Sequence, residues 1–353
     1  MAAAAIIRRP VLVAVLLGVA GAVVATVLGL LTFGAQATVA PHEVPLAVAS
    51  PPGPLSAAAE RVAQQGGDAV DWQVTDPERA RELLADKEVY GVLELGGGPE
   101  RVELTVLTSG AVNPQGTQAA QQVLTGAAQG LGAAMSEQGL TVAPPHLEIV
   151  SPASIAGRTA PLAASALLWI GGLVAAIGFA VLILRAGLRP SPLARATLLL
   201  TASVVLTAVV AGFFALWDSS LPLTWDVLGF VLLTAVAFAA VQGALLRLLK
   251  LRAVAILAPL YLIAPAVAGQ VPEMLNPAYR ALLWSWTPFR FSTEGLRSLL
   301  QGTPDAPDVR TGLLVLGSMA VVGLVVMLWP RRYAVEPPVP ADTREPVLSR
   351  PGS

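Results

Sequence analysis

Long apolar runs alternate with short basic loops over most of the chain, and one long polar segment interrupts them near the start. Six runs reach about 18 residues, the length at which an apolar stretch can cross a bilayer as a helix. We predict membrane-spanning helices at residues 11–33, 162–184, 196–217, 226–246, 253–270 and 311–329. The predicted fold class is therefore an α-helical integral membrane protein. It has six transmembrane helices, one before and five after an inserted extracytoplasmic α/β domain.

The polar segment at residues 34–160 alternates between strand-like and helix-like stretches. In "DPERARELLADKEVYGVLEL", Thr75 or Asp76 can cap a helix, Pro77 suits its first position, and "EVYGVLEL" favours a strand. The whole segment predicts the order βαβαββαβ, and its second helix should turn one side inward, with Ala80, Leu83 and Leu84. We expect one compact α/β domain here.

Basic residues predict the orientation. They cluster before the first run, in two loops and after the sixth run: Arg8 and Arg9; Arg185, Arg189 and Arg195; Arg247, Lys250 and Arg252; Arg331 and Arg332. With six spans all four clusters share one side, which is the cytoplasmic side because cytoplasmic loops are rich in Lys and Arg. Both termini are then cytoplasmic. Residues 1–33 are predicted to form a cytoplasmic N-terminus and the first helix, and residues 34–160 an outer domain. Residues 161–332 are predicted to form a five-helix domain, and residues 333–353 a disordered Pro-rich tail.

The first apolar run also has features of a signal peptide, since it follows two arginines and is followed by the small residues of "FGAQA". Its apolar stretch is longer than the usual ~7–15 residues of a signal peptide. We therefore predict an uncleaved membrane anchor.

Composition narrows the chemistry. Hydrophobic residues make up 55% of the 353 positions and charged residues only 13%, against roughly 25% charged in soluble domains. Without cysteine there is no disulfide, and two histidines are too few for a His-rich metal site, so we expect no cofactor. We also expect no nucleic-acid partner.

The sequence lacks the residues that couple transport to ATP hydrolysis or to proton flow. The only lysines, Lys87 and Lys250, are followed by Glu and Leu, so neither fits the phosphate loop G-x-x-x-x-G-K-[ST]. The apolar runs hold essentially no ionisable group, which a proton-driven pump needs. We predict that the chain is not an enzyme and that any ATPase is a separate chain.

Three segments resemble the ABC-2-type membrane permeases, and in particular the YhgE/Pip-like branch of phage infection protein and its relatives. They are the stretch from Asp76 to Leu95 quoted above, "TSGAVNPQGTQAAQQVL", and "LNPAYRALLWSWTPFRFSTEGLRSLLQG". The chain departs from that branch at "ASPPGP", where relatives often have an Asn-x-Asp turn. The resemblance implies a permease that exports a hydrophobic or amphipathic substrate on ATP hydrolysed by a separate subunit. It also implies a homodimer, or a heterodimer with a sister permease, in the lipid bilayer.

Two segments are candidate functional sites. In the family that the chain resembles, a cytoplasmic element near residues 185–195 docks on the ATPase, which makes Arg185, Arg189 and Arg195 a candidate coupling loop; simple membrane anchoring is the alternative. The outer amphipathic segment at residues 277–300 interleaves aromatic and basic residues. Such a mixture suits an interfacial gate or an interfacial anchor. The candidate gate residues are Trp284, Trp286, Phe289 and Arg290.

A second function stays open. The chain can instead be a non-transporting scaffold or surface receptor whose outer domain binds a partner, as phage-infection and type VII secretion-accessory relatives suggest. A short outer domain favours the permease.

Overall fold

The computed structural model describes residues 10–98, 101–188 and 190–329. The predicted disordered tail at residues 333–353 lies outside this range. So do five of the arginines used for orientation: Arg8, Arg9, Arg189, Arg331 and Arg332.

The first part of the chain consists of one long helix followed by an α/β unit. Its elements are α1 (Pro10–Ala37), β1 (Val44–Ala49), α2 (Ser56–Gln64), β2 (Val70–Thr75), α3 (Pro77–Ala85), β3 (Gly91–Gly97), β4 (Arg101–Ser109), α4 (Pro114–Glu137), β5 (Thr141–Val142) and β6 (His146–Val150). The remainder is helical: α5 (Ile155–Ala186), α6 (Pro192–Trp217), α7 (Trp225–Leu249), α8 (Val254–Ala268), α9 (Pro277–Tyr279), α10 (Pro288–Leu300) and α11 (Pro307–Leu328). A single π-helical turn, Arg280–Trp284, continues α9.

Within the described ranges, five helical stretches are long and apolar enough to cross a membrane: Val11–Ala37, Ile155–Ala186, Pro192–Trp217, Trp225–Ala268 and Pro307–Leu328. The fourth stretch has 44 residues and contains both α7 and α8, which a 3₁₀ turn at Lys250–Ala253 separates. Helix α8 has only 15 residues, which gives about 22 Å of helix against a hydrocarbon core of ~30 Å. A multi-pass membrane protein follows, and a sixth crossing through α8 stays a prediction.

The predicted order βαβαββαβ is confirmed in the α/β unit, with the short strand β5 added. The sheet runs β2-β1-β3-β4-β5, and β6 also pairs with β4, beyond β5 along the same edge. Parallel pairing places Ala47 of β1 beside Val92 of β3, and the β3–β4 hairpin is antiparallel. The third strand begins at Gly91 rather than at Glu88, because Lys87 takes a positive φ of 61° in a turn after α3.

Helices cover both faces of this sheet. Alternation along β1 sends Leu46 and Val48 to the face under α2 and α4, and Ala47 and Ala49 to the face under α3. The predicted inward side of α3 is confirmed, since Ala80, Leu83 and Leu84 are at most 4% exposed. Of the two predicted caps, Asp76 serves: its Oδ1 accepts from the Arg79 amide at 2.9 Å.

The helical bundle is built around α7, which packs against α5, α6 and α11. Three aromatic rings form its centre: Trp169, Phe238 and Phe289 lie with centroids 5.0–5.4 Å apart. Helix α1 meets this bundle only near its end, where Ala35 packs among Ile263, Val267 and Leu283. Its earlier turns leave large apolar side chains exposed, as a helix facing lipid or a partner does.

The helices extend past the boundaries predicted for the outer domain. Helix α1 continues to Ala37 and α5 already begins at Ile155. The assignment of residues 34–160 as the outer domain stays a prediction.

Candidate functional site

Polar side chains of the α/β unit contact one end of the helical bundle. We call this contact the junction; it comprises Lys87, Tyr90, Asn113 and Gln115 on one side and Glu273, Glu294, Ser298 and Asp308 on the other. The chain leaving α1 adds backbone bonds, from Ala40 N to Met274 O at 3.1 Å and from His42 N to Glu273 O at 2.8 Å. The unit is thus attached by specific polar contacts as well as by the covalent connections to α1 and α5.

Lys87 makes the ionic contact of the junction. Its ammonium group donates to Ser298 Oγ at 2.6 Å and to Asp308 Oδ2 at 3.0 Å. The lysine side chain is only 9% exposed, whereas the aspartate side chain is 37% exposed. Because a buried ammonium needs its partner more than a solvated carboxylate does, this pair fixes the turn after α3 on the start of α11.

Tyr90 makes the second contact, through its hydroxyl, which donates to Glu273 Oε2 at 2.7 Å. Burial raises the pKa of the Tyr90 hydroxyl far above its ordinary value, and the negative charge of Glu273 raises it further. The phenol therefore stays protonated and keeps its donor role.

Asn113 makes the third contact. Its Oδ1 accepts a hydrogen bond from the backbone N–H of Gln115 at 3.0 Å and so caps α4. Its Nδ2 donates to Gly269 O at 3.4 Å and to Glu294 Oε1 at 3.3 Å. Glu294 also pairs with Arg297 at 2.9 Å, and the Arg297 side chain is 4% exposed. The start of α4 is thus connected to the polar side of α10.

The sequence pattern does not predict the junction. A weak signal was present: Lys87 is one of only two lysines and lies, like Tyr90, in the turn between α3 and β3. These contacts fix the position of the α/β unit on the helical bundle. Among the described residues of the junction there is no pair of nucleophile and base. Within the described part of the chain, no group of three or more His, Asp or Glu residues could hold a metal ion.

The four candidate gate residues lie in different environments. The Arg290 guanidinium lies 3.8 Å from the centre of the Trp284 ring and 4.1 Å from that of Phe291, so these residues form a cation–π stack. Trp286 is 52% exposed, whereas Phe289 is fully buried in the aromatic centre of the bundle. The structure therefore groups Trp284 with Arg290 and gives Phe289 a packing position.

The candidate coupling loop lies at the opposite end of the bundle. Arg185 is exposed in the last turn of α5, which Gly187 ends with a positive φ of 64°. Arg195 instead donates to Met327 O at 3.3 Å, beside Arg247, which donates to Val326 O and Met327 O at 2.7 and 2.6 Å and to Trp329 O. Both guanidinium groups thus cap the C-terminal carbonyls of α11, where positive charge is favourable.

We call this second region the basic end; it comprises Arg185, Arg195, Arg247, Lys250 and Arg252. Asp308 of the junction lies in the first turn of α11, whereas Met327 in the last turn of α11 accepts from Arg195 of the basic end. The 22 residues of α11 separate the two regions by about 30 Å. They therefore lie near opposite surfaces of a membrane crossed by α11.

Comparison with known protein families places the chain in a family. The family model described as ABC-2 family transporter protein matches residues 13–329, which include both the junction and the basic end. No curated protein matches the chain, and no solved structure matches it.

Proposed function

Because the chain belongs to the ABC-2 family of transporter proteins, we propose that it is the membrane-spanning permease subunit of an export system. It moves a hydrophobic or amphipathic substrate, and a separate subunit hydrolyses the ATP. The observation that carries this proposal is the extent of the family match, residues 13–329, over nearly all described helices and the whole α/β unit.

Two features support a separate energy source. The sequence of this chain has no phosphate-loop motif, since Lys87 and Lys250 are followed by Glu and Leu. The basic end offers an exposed cation, Arg185, at a helix terminus where a cytoplasmic subunit with an acidic groove would dock. We accordingly propose no enzymatic activity for the chain itself.

The junction suggests how motion reaches the outer unit. Helices α10 and α11 carry Glu294, Ser298 and Asp308, so a shift of either helix displaces the partners of Lys87 and Asn113. The stack of Trp284 on Arg290 lies in the segment just before and within α10 and remains our candidate for an interfacial gate. We further propose that the permease works as a dimer and belongs to the YhgE/Pip-like branch.

The test is affinity purification of the full chain from its native membranes in mild detergent. We expect a nucleotide-binding subunit to co-purify and to give ATPase activity in the eluate. The variant Arg185→Glu should lower the recovered ATPase several-fold, because reversing an exposed charge at a complementary contact makes that contact repulsive.

The matched control is Arg158→Glu, which reverses an exposed arginine at the other end of the same helix. It should leave recovery unchanged. Failure to recover any nucleotide-binding subunit in several detergents would contradict the permease proposal and favour the scaffold or receptor alternative. Equal losses from both variants would remove the basic end from the ATPase contact.

A further inference from the structure

A large cavity opens between α5, α6 and α7 at the basic end. Its volume is about 980 Å³, within the range of ligand-binding pockets. Apolar side chains line most of its wall, among them Ala176, Phe179, Ile183, Leu198, Ala202 and Ala239. The cavity is therefore an apolar space entered from the charged end of the bundle.

The depth of the cavity corresponds to one leaflet. Along α5 its lining begins at Gly172 and continues to Leu188 beyond the helix end. The 13 helical steps from Gly172 to Arg185 cover about 20 Å, about two-thirds of a ~30 Å hydrocarbon core, so the cavity extends through one leaflet. A single acyl chain fits a space of this length and polarity.

The rim of the cavity is cationic. Arg195, Arg247, Lys250 and Arg252 all line it. Arg195 and Arg247 contact the end of α11, whereas Lys250 and Arg252 are exposed on the 3₁₀ turn.

The described helices around the cavity bring no carboxylate to its rim. Helices α5 and α6 contain no Asp or Glu, and the acidic residue of α7, Asp226, lies in its first turn at the opposite end of the bundle. The turn that carries the two exposed cations is also held in one shape, since Lys250 has a φ of 55° in a region that favours glycine. The charged residues among those described as lining the cavity are thus all cations.

We propose that this cavity binds one phospholipid with an anionic headgroup. One acyl chain lies along α5 between α6 and α7, and the headgroup phosphate lies against Lys250 and Arg252. An amphiphile with a single anionic end matches a space that is apolar over one leaflet and cationic at its mouth. The site goes beyond the proposed transport function and does not require it.

The test uses the full chain, purified without partner subunits and placed in mixed micelles with dioleoyl phosphatidylglycerol or dioleoyl phosphatidylcholine. Native mass spectrometry then counts the lipids retained. We expect one phosphatidylglycerol to be retained in preference to phosphatidylcholine. Lys250→Gln and Arg252→Gln should each weaken retention about fivefold, the effect of one basic residue at an anionic lipid surface.

The control for the rim is Arg185→Gln, which removes an exposed charge at the same end but outside the cavity wall. It should change retention less than twofold. For the wall, Ala202→Phe, or the smaller Ala202→Leu, should abolish retention. Ala208→Phe, on an exposed face of the same helix and outside the wall, should not.

Four outcomes would overturn the site. They are equal retention of the two lipids, equal losses from Arg185→Gln and Arg252→Gln, full retention in a folded Ala202 variant, and displacement of the lipid by millimolar inorganic phosphate. The chain has no cysteine, so Ala202→Cys tests a second copy as the occupant. Disulfide cross-linking of two chains through Cys at this position would also reject the lipid.

Discussion

Two side chains in the turn after α3 determine how the α/β unit attaches to the bundle. Lys87 contacts residues 211 and 221 positions further along the chain, and Tyr90 contacts one 183 positions further along. Each donates to a carboxylate at the bundle surface, and charge-assisted hydrogen bonds of this kind are stronger than neutral ones. The position of the unit therefore depends on the protonation of a few groups.

Tyr90 gives a pH prediction. The pKa of its hydroxyl is higher in the folded chain than in the unfolded chain, where it is about 10. The stability from neutral Tyr90 is fully present below about pH 10 and is lost as pH rises above that value. In a spectrophotometric titration of the folded chain, Tyr90→Phe should leave the tyrosinate signal near pH 10 unchanged.

The unfolded chain is the control for Tyr90. In denaturant the same variant should lose the signal of one of the four tyrosines. Glu273→Gln should bring the ionisation of Tyr90 closer to its ordinary range, because it removes a negative charge. A signal that falls by one tyrosine in the folded variant would show that Tyr90 ionises like an exposed phenol.

Roles that depend on neighbouring residues could be predicted from the sequence, whereas contacts between residues far apart in the chain could not. Asp76 was a candidate cap because its role depends on three neighbouring residues and a proline. The partner of Lys87 depends on how two units dock, and nothing near position 87 encodes Asp308. Phe289 shows the same limit: its aromatic neighbours favoured an interface, whereas contact with Trp169 and Phe238 buries it.

At the scale of elements, close helix approach holds α11 against α7. A Cβ added at Gly323 would lie 2.7 Å from the backbone carbon of Ala240 and 2.8 Å from its Cβ. Small residues at such crossings let helices pack by van der Waals contact in lipid, where hydrophobic burial gives little drive. The spacing between α7 and α11 therefore depends on Gly323.

Gly323→Ala should destabilise the bundle by about 1–3 kcal/mol, the usual cost of overpacking, measured as a lower thermal unfolding midpoint in detergent. Gly317→Ala on the same helix is the control, because a Cβ there meets nothing within 4 Å. Equal midpoints for the two variants would mean that α7 and α11 separate without cost.

Element positions followed from the apolar pattern more closely than their packing did. Every predicted span contains a helix, since long apolar runs leave the backbone no alternative in lipid. The segment at residues 277–300 was predicted to be an outer amphipathic element. Its helix α10 buries one side, with Ser292, Thr293 and Arg297; Ser292 Oγ lies 2.8 Å from Ser165 Oγ, and Arg297 pairs with Glu294. The polar side chains of this helix thus pair with α5 and with one another inside the bundle.

At the scale of the whole molecule, the two ends of the bundle differ in their acidic residues. Glu273, Glu294 and Asp308 lie beside the α/β unit, together with arginines such as Arg297, whereas the charged residues described at the basic end are all cations. Because basic residues favour the cytoplasmic side, we predict that the α/β unit is outside.

Single-cysteine labelling tests this orientation, since the natural chain has no cysteine. A membrane-impermeant maleimide should label Glu78→Cys, at an exposed position of α3, in intact cells. It should label Ala186→Cys, at the exposed end of α5, only after permeabilisation. The reverse pattern would place the α/β unit in the cytoplasm and contradict an outer domain.

The junction also determines what a deletion experiment can reveal. Excising the segment between α1 and α5 removes the ammonium of Lys87 and the phenol of Tyr90. The carboxylates of Asp308 and Glu273 then lose these partners. The helices that carry these carboxylates then lose stabilising contacts with the unit, although water can solvate the freed carboxylates. The α/β unit is therefore not a detachable module, and an inactive truncation would report damage to the remaining helices as much as the loss of a binding surface.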